Sequence, residues 1–360
     1  MLLYVFVAVF PLLVWCVYFK MVEEVTPIQK KQTKRYINKR FWWLMLAALP
    51  MFMLIGLRHS SMGADTGSYQ SFFERIQFLT WEESLEFEEL EVGFLIFQKS
   101  LTYVTSSPFV YQCIYAGIYM LSVVSFANRM KSENFSYLYF FATIGIYTFM
   151  FTGVRQCLAM CICLFSYRFV QNRRIIKFVI CVLLAFTFHK SAMLFIVVYF
   201  IYNRKLNVLN TLVYTVIGAL CFFNIDLVQE WFNDQLDYDY GVEATEGGYV
   251  FTIVIAVITI FAVVMILNYK KLDVESRGMI NVGFVALIFW VVRIATRVAE
   301  RPSYYFLFFS IAMLCYGMDS PSKSNERLLY RILIYGVMMA LFVYRMSTNF
   351  ANLVPYKVYA

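Results

Sequence analysis

Arg293, Arg297, Glu300 and Arg301 follow i, i+4, i+7, i+8 spacing. On one continuous helix they present three guanidiniums and one carboxylate on a single face. Glu300 neutralises only one arginine, so the stripe keeps a positive charge suited to an anion such as a diphosphate. The structural alternative is an ion-pair network that anchors the helix. Three more cations stand where apolar runs begin: Arg155 opens 156–172, Lys190 opens the second half of 176–203, and Arg301-Pro302 precedes 303–318. A cation at a helix N-terminus works against the macrodipole by a few tenths of a kcal/mol, so these placements also suit phosphate binding. Asp65 lies in Arg58-His-Ser-Ser-Met-Gly63-Ala-Asp65-Thr-Gly-Ser-Tyr69, just before an amphipathic run. There it serves as a helix N-cap, a role compatible with a place in a site. Arg58 suits the end of the preceding helix, where its side chain can snorkel. His189 is one of two histidines and sits in an apolar stretch, next to Lys190 and Ser191. It is either a hydrogen-bonded structural residue or a general base working near neutral pH.

The elements that position these residues are set by composition. The 360 residues are 61 % hydrophobic and 15 % charged, and the mean hydropathy is +0.65. Soluble chains run nearer 45–50 % and about 25 %. A soluble enzyme, a nucleic-acid-binding protein, a secreted disulfide scaffold and a disordered linker are therefore excluded. The eight cysteines fall within apolar stretches and behave as small hydrophobes. They form no zinc-spaced motif, and neither a metal nor a cofactor is expected.

Apolar runs of membrane-crossing length lie near 2–19, 41–57, 108–127, 135–153, 156–172, 207–223, 249–268, 278–296, 303–318 and 329–346. The first lacks a basic n-region and a small-residue cleavage site, so it reads as a retained helix. The fold class is an all-α polytopic membrane protein of about 10 full transmembrane helices, read as a single membrane domain over 1–360. The stretch 176–203 differs. It has basic residues at both ends and breaks at Phe188-His189-Lys190-Ser191. Each half is about 14 residues, or about 21 Å of helix, against a hydrocarbon core of about 30 Å. Two half-helices meeting in a re-entrant turn fit both facts and imply a cavity with His189 and Lys190 at its floor.

Orientation follows from lysine and arginine. With the basic segment 20–40 in the cytoplasm, both termini lie outside. The cytoplasmic side then collects 21 of the 31 basic residues and 7 of the 23 acidic ones. The ten basic residues left on the outer side are Arg58, Arg75, Lys99, Arg155, Lys190, Arg293, Arg297, Arg301, Arg345 and Lys357. Two outer loops are long. In 58–107, Tyr69, Phe72, Phe73, Ile76 and Leu79 recur at helical spacing, and Val92, Leu95 and Ile96 suggest a second interfacial helix. The other, 224–248, is acidic. Its Asp237-Tyr238-Asp239 matches the DxD triplet of nucleotide-sugar glycosyltransferases, but nucleotide sugars are cytoplasmic and this loop is outside. No P-loop, GxSxG or HExxH occurs.

Five blocks, taken in order, resemble the EpsG/Wzy-like family of membrane polysaccharide polymerases. They are Arg58…Gly63-Ala-Asp65-Thr-Gly-Ser-Tyr69, Glu91-Val-Gly93-Phe, Gly153-Val-Arg155-Gln156, Phe188-His189-Lys190-Ser191-Ala and Arg301-Pro-Ser-Tyr304-Tyr305-Phe306. They cover roughly residues 40 to 315. Thr66 stands where an aromatic often follows the aspartate, and Arg297 adds an arginine ahead of the last block. The resemblance implies a C-type, polyprenyl-dependent glycosyltransferase that uses no metal and works at the outer face of the bacterial cytoplasmic membrane. Its substrate would be an undecaprenyl-diphosphate-linked oligosaccharide, for capsule, exopolysaccharide or O-antigen, with a chain-length regulator as a candidate partner. On that reading Arg155, Arg297 and Arg301 hold the donor diphosphate, and Arg58 is a second phosphate ligand. His189 or Asp65 activates the acceptor. Tyr69 lines a sugar or prenyl groove, and Gln156, Lys190, Arg293 and Tyr305 join the substrate contacts. A lipid-linked glycan flippase or other secondary transporter, and a glycan ligase, are the alternatives.

Overall fold

The computed structural model describes residues 1–23, 33–87, 89–131, 134–224, 227, 230, 248–269, 272–348 and 352–359. The expected DxD triplet, most of the acidic loop and part of the basic segment after the first helix lie outside the described residues. The helices are α1 Leu2–Glu23, α2 Thr33–Gly56, α3 Thr66–Ile76, α4 Trp81–Leu85, α5 Val92–Thr102, α6 Pro108–Arg129, α7 Asn134–Ile144 and α8 Ile146–Phe149. They continue as α9 Val154–Gln171, α10 Ile175–Phe186, α11 Val197–Ile201, α12 Val208–Phe223, α13 Tyr249–Asn268, α14 Val274–Arg293, α15 Glu300–Asp319 and α16 Ser324–Ser347. Two 3-10 segments, Lys190–Ile196 and Arg297–Ala299, complete the order. Among the described residues there is no strand, only an isolated bridge between Arg58 and Val358.

Six of these helices are long and apolar enough to cross a membrane: Leu2–Met21 in α1, Lys39–Gly56 in α2, then α6, α13, α14 and α16. Their outer faces are greasy. On α16, Leu328, Leu329, Ile332, Leu333 and Val337 are exposed, a patch that only lipid or another apolar surface tolerates. The protein is therefore an all-α, multi-pass membrane protein.

Local chemistry sets several helix starts. Ser107 accepts from the Val110 N–H at 3.4 Å ahead of Pro108, which needs no donor in the first turn. Asp273 accepts from the Ser276 N–H at 2.7 Å to open α14.

The chain forms two compact units. The first comprises Met1–Tyr167, Thr187–His189 and Ile332–Ala360. In it α2 runs along α6, and α1 packs on α2 and α7. Residues 57–59 pair with the C-terminal segment: His59 N–H donates to Lys357 O at 2.9 Å and Tyr359 N–H to Leu57 O at 2.8 Å. The Tyr4 hydroxyl donates to Leu353 O at 2.6 Å, which brings the start of α1 to the same end. Arg40 bonds Asn128 at the opposite end of the α2–α6 pair.

The run 135–153, expected as one crossing, is instead two helices. Gly145 adopts φ 112° between α7 and α8, a left-handed conformation that ends a right-handed helix and favours glycine. The Arg345 guanidinium occupies the space a β-carbon would need there. It donates to Ile144 O at 3.4 Å, placing a cation on the C-terminal carbonyls of α7.

The second unit comprises Arg168–Phe186 and Lys190–Arg331. α15 is its core, buried along nearly its whole length and packed by α13 and α14. The stretch 176–203 is broken as expected. α10 stops at Phe186, and the 3-10 segment folds back so that Phe178 meets Phe195 at 6.0 Å and Tyr199 at 5.4 Å between ring centroids.

The four-residue charge stripe needs correction. α14 ends at Arg293, Thr296 is extended at φ −145° and ψ 135°, and α15 starts at Glu300. Arg293, Arg297, Glu300 and Arg301 therefore lie around a helix–3-10–helix corner rather than on one helix face. Pro302 is the physical reason. Without an N–H it cannot serve the Val298 carbonyl of a continuous helix, and its ring would clash there, whereas the first turn of a new helix accepts it.

Candidate functional site

The first unit joins two of the sequence blocks that lie far apart in the chain. Arg155, in the first turn of α9, forms an ion pair through its Nη1 with the Glu91 carboxylate at the start of α5. The same nitrogen donates to Glu89 O at 3.3 Å, and Nε donates to the Tyr69 hydroxyl of α3 at 2.9 Å. The Arg155 side chain is 20 % exposed and that of Glu91 is 8 % exposed, so the pair is largely desolvated yet reachable. Burial pushes the Tyr69 phenol above its ordinary pKa, and the adjacent Arg155 partly offsets this. Tyr69 also packs edge-on against Phe94, ring centroids 5.4 Å apart. Glu91 is the residue to which the sequence reading gave no role, although it lies in the Glu91-Val-Gly93 block.

Asp65 occupies the N-cap position of α3, but its carboxylate does not cap that helix. Oδ2 accepts from the Gly153 N–H at 3.0 Å and so ties the loop to the start of α9. Arg58 is 3 % exposed and its nitrogens point inward. Nη1 donates to Ile55 O at 2.6 Å, and Nε and Nη2 donate to the Thr66 hydroxyl at 3.2 and 3.1 Å. The Thr66 hydroxyl in turn donates to Phe151 O at 3.1 Å, and Phe151 lies under the guanidinium at 5.4 Å. Burial lowers the Arg58 pKa. Arg58, expected as a phosphate ligand, thus directs three of its five N–H donors to holding the 58–66 loop. Thr66, where an aromatic was expected, is the acceptor that makes this clamp.

A second buried network supports the loop from α6. Gln70 donates to Gln112 Oε1 at 2.7 Å, and Gln112 donates to the carbonyls of Gly56 and Arg58 at 2.9 and 2.8 Å. Lys99 closes the C-terminal end of α3, its ammonium donating to Ile76 O at 3.0 Å and Leu79 O at 2.5 Å. Gln156 is buried beside Arg155 in sequence.

His189 belongs to the same unit and is 2 % exposed. Its segment is fixed to α5. Gly93 N–H donates to Thr187 O at 2.8 Å, and Phe188 meets Phe97 at 5.9 Å. The blocks containing Asp65, Glu91, Arg155 and His189 are therefore linked through α3, α5 and the start of α9.

In the second unit, Arg293 is buried and its Nε donates to Glu300 Oε2 at 2.8 Å, while the Tyr304 hydroxyl donates to Oε1 at 3.3 Å. Arg293 is thus the arginine that pairs with Glu300 at the corner. Arg297 is exposed and has no acidic partner among the described residues. Arg301 is half-buried in the first turn of α15. Lys190 begins the 3-10 segment. Tyr305, expected among the substrate contacts, is 1 % exposed and accepts from the Ser191 hydroxyl at 3.4 Å within the core of this unit. Among the described residues no group of three or more His, Cys, Asp or Glu side chains is placed to hold a metal ion, and all eight cysteines are free thiols.

Comparison with known proteins gives one result. A search of the curated proteins and a search of the solved structures each found no match. A family model described as the EpsG family matches residues 41–358. That span takes in all five sequence blocks, including the two that Glu91 and Arg155 bring together. The chain belongs to the EpsG family, a Wzy-like family of polysaccharide polymerases.

Proposed function

We propose that the protein is a repeat-unit polymerase of the outer face of the cytoplasmic membrane. It transfers a growing glycan from undecaprenyl diphosphate onto a new lipid-linked repeat unit and releases undecaprenyl diphosphate. The observation that carries this reading is Arg155, a reachable guanidinium at a helix start, held by Tyr69 and Glu91 where three family blocks converge. Arg155 binds the donor diphosphate and stabilises the charge that develops as the sugar leaves. In the second unit the exposed Arg297, with Arg301, offers further guanidinium groups to anionic phosphate. Arg58 and Asp65 act through the loop they hold.

Topology supports an outward site. The start of α1, residues 57–59 and the C-terminal segment gather at one end of the first unit, and the basic segment that follows α1 belongs in the cytoplasm. With α7–α8, α9, α12 and α15 added to the six long helices, the crossings number about ten, as in C-type polyprenyl-dependent glycosyltransferases. α10 and the segment that returns from it form the re-entrant pair.

Deleting the gene is expected to leave lipid-linked single repeat units on the outer face. Accumulated full-length lipid-linked polymer would instead mark a ligase, and repeat units trapped on the cytoplasmic face would mark a flippase.

The geometry also predicts what Asp65 does. An asparagine amide oxygen can still accept the Gly153 N–H, so Asp65→Asn is expected to polymerise within about tenfold of wild type. Asp65→Ala loses a charge-assisted hydrogen bond and about 2 kcal/mol of stability. Glycan ladders and thermal unfolding of the two variants check this. A folded but inactive Asp65→Asn protein would make the carboxylate charge itself essential.

A further inference from the structure

A helix leaves its last carbonyls without an intrahelical donor, and at the end of a membrane-crossing helix each unmet carbonyl is costly. α2 is such a helix, and it ends at Gly56. Leu57 N–H closes its last turn on Met53 O at 2.8 Å. The carbonyls of Leu54, Ile55, Gly56 and Leu57 then take donors from outside the helix. Ile55 O is met by Arg58 Nη1 and Gly56 O by Gln112 Nε2. The other two are met by a segment far along the chain. The Tyr356 hydroxyl donates to Leu54 O at 3.0 Å across 302 residues, and Tyr359 N–H donates to Leu57 O at 2.8 Å.

That segment, 352–359, is itself held in place. Leu353 is fully buried, and its carbonyl accepts from the Tyr4 hydroxyl. The Tyr356 ring packs edge-on against Tyr4 with centroids 6.2 Å apart, and the Tyr359 ring meets Phe109 at 5.1 Å. Between these anchors the segment runs beside the 58–66 loop. His59 N–H donates to Lys357 O at 2.9 Å, and Lys357 N–H to the Met62 sulfur at 3.0 Å.

We propose that residues 352–359, with Tyr356 as the central residue, are a strap that positions Arg155 for the transfer. The proposal rests on the polymerase reading above and adds to it a positioning element. The strap acts through the loop it holds. It fixes the direction in which residues 57–59 leave α2, and the loop carries that direction to Asp65. The Asp65 carboxylate accepts from the Gly153 N–H, two residues before Arg155 in the chain.

Such a strap governs rate more than binding. With the strap loosened, Arg155 still has Tyr69 and Glu91 beside it. The attraction between a guanidinium and a diphosphate falls only as the inverse of their separation, so binding survives a displacement of about 1 Å. Transfer requires aligned reacting atoms, and the same displacement costs on the order of 10²-fold in rate.

The test uses Tyr356 variants of the full-length protein in nanodiscs. Turnover of the lipid-linked repeat unit is read per folded protein, well below the unfolding temperature, alongside binding of undecaprenyl diphosphate. Tyr356→Ala removes hydroxyl and ring together. It is expected to lower kcat by about 10²-fold and to keep undecaprenyl diphosphate affinity within about threefold of wild type. Tyr356→Phe keeps the ring against Tyr4 but leaves Leu54 O unmet, and should lower kcat by about three- to tenfold. The route is tested by repeating both substitutions in an Asp65→Ala background. With the loop already cut from Gly153, the strap has less to act through, so Tyr356→Ala should then cost less than about tenfold. Wild-type kcat in either Tyr356 variant overturns the proposal, as does an equal loss in the two backgrounds. A fall in diphosphate binding in step with kcat also overturns it, because that marks a general loosening of the fold. Should Tyr356→Ala fail to fold, Tyr356→Phe in the two backgrounds decides by the same criteria. If the wild-type protein neither makes a ladder nor binds undecaprenyl diphosphate, the polymerase reading fails, and that outcome is distinct from these.

Discussion

Replacing Arg155 with alanine is expected to abolish polymer, lowering turnover by about 10³-fold or more, while the protein still inserts in the membrane. Removing one preorganised donor from a site of developing negative charge typically costs 10²–10³ in rate. Here a full positive charge is lost from its place between Tyr69 and Glu91. The substitution also leaves the Glu91 carboxylate largely buried without this partner, which adds a stability cost. Arg155→Lys separates the two effects. It keeps a cation near Glu91 but loses the planar fork, so it should restore stability more than turnover. Glycan ladders read against thermal unfolding and membrane yield check all three proteins. Full-length polymer from Arg155→Ala would remove this residue from the mechanism.

Gly93→Ala is expected to be nearly as severe, by packing rather than charge. A β-carbon there would sit 2.1 Å from the Thr187 hydroxyl oxygen, 2.7 Å from its carbonyl oxygen and 2.8 Å from its β-carbon. The Gly93 N–H already donates to that carbonyl at 2.8 Å, so the two backbones cannot separate without breaking the bond. Overpacking of this kind costs about 1–3 kcal/mol. The larger effect is on geometry, since Gly93 fixes the start of α5, which carries Glu91, to the segment that carries His189. A displacement of about 1 Å in a reacting group can cost on the order of 10²-fold in rate. The variant should therefore unfold at lower temperature and lose polymerisation by about that factor. Gly93→Ala with wild-type turnover would show that the α5 junction does not position the site. Thr187→Ser removes only a methyl group and should be tolerated, which distinguishes crowding from a general sensitivity of the segment.

Some of this arrangement is legible in the sequence. Long apolar runs locate α1, α2, α6, α13 and α16, because burial in lipid requires nothing subtler than length and hydropathy. The spacing of Tyr69, Phe72, Phe73 and Ile76 locates α3, and the polar Phe188-His189-Lys190-Ser191 step locates the break after α10. Breaks made by a single backbone conformation are hidden. Nothing in the uniformly apolar run 135–153 distinguishes Gly145 from a helical glycine until Arg345 is seen against it. At the corner before α15 the charge spacing argued for a continuous helix, whereas Pro302 carried the opposite signal. Long-range pairings are the least legible. Arg58 has the residue type and position of a phosphate ligand, and only its contacts with Thr66, Ile55 and Phe151 show that it holds the loop from within. Glu91 and Arg155 are 64 residues apart, and no periodicity links them. Their membership of the same ordered set of blocks was the one available sign.

The central claim is that an outward-facing site built around Arg155 joins lipid-linked repeat units. It is tested most directly by incubating the purified protein in nanodiscs with a chemoenzymatically prepared undecaprenyl-diphosphate repeat unit, in the presence of EDTA, and resolving the products on a gel. A ladder of repeat multiples is expected with wild-type protein and a single band with Arg155→Ala. A single band from folded wild-type protein with authentic substrate would contradict it.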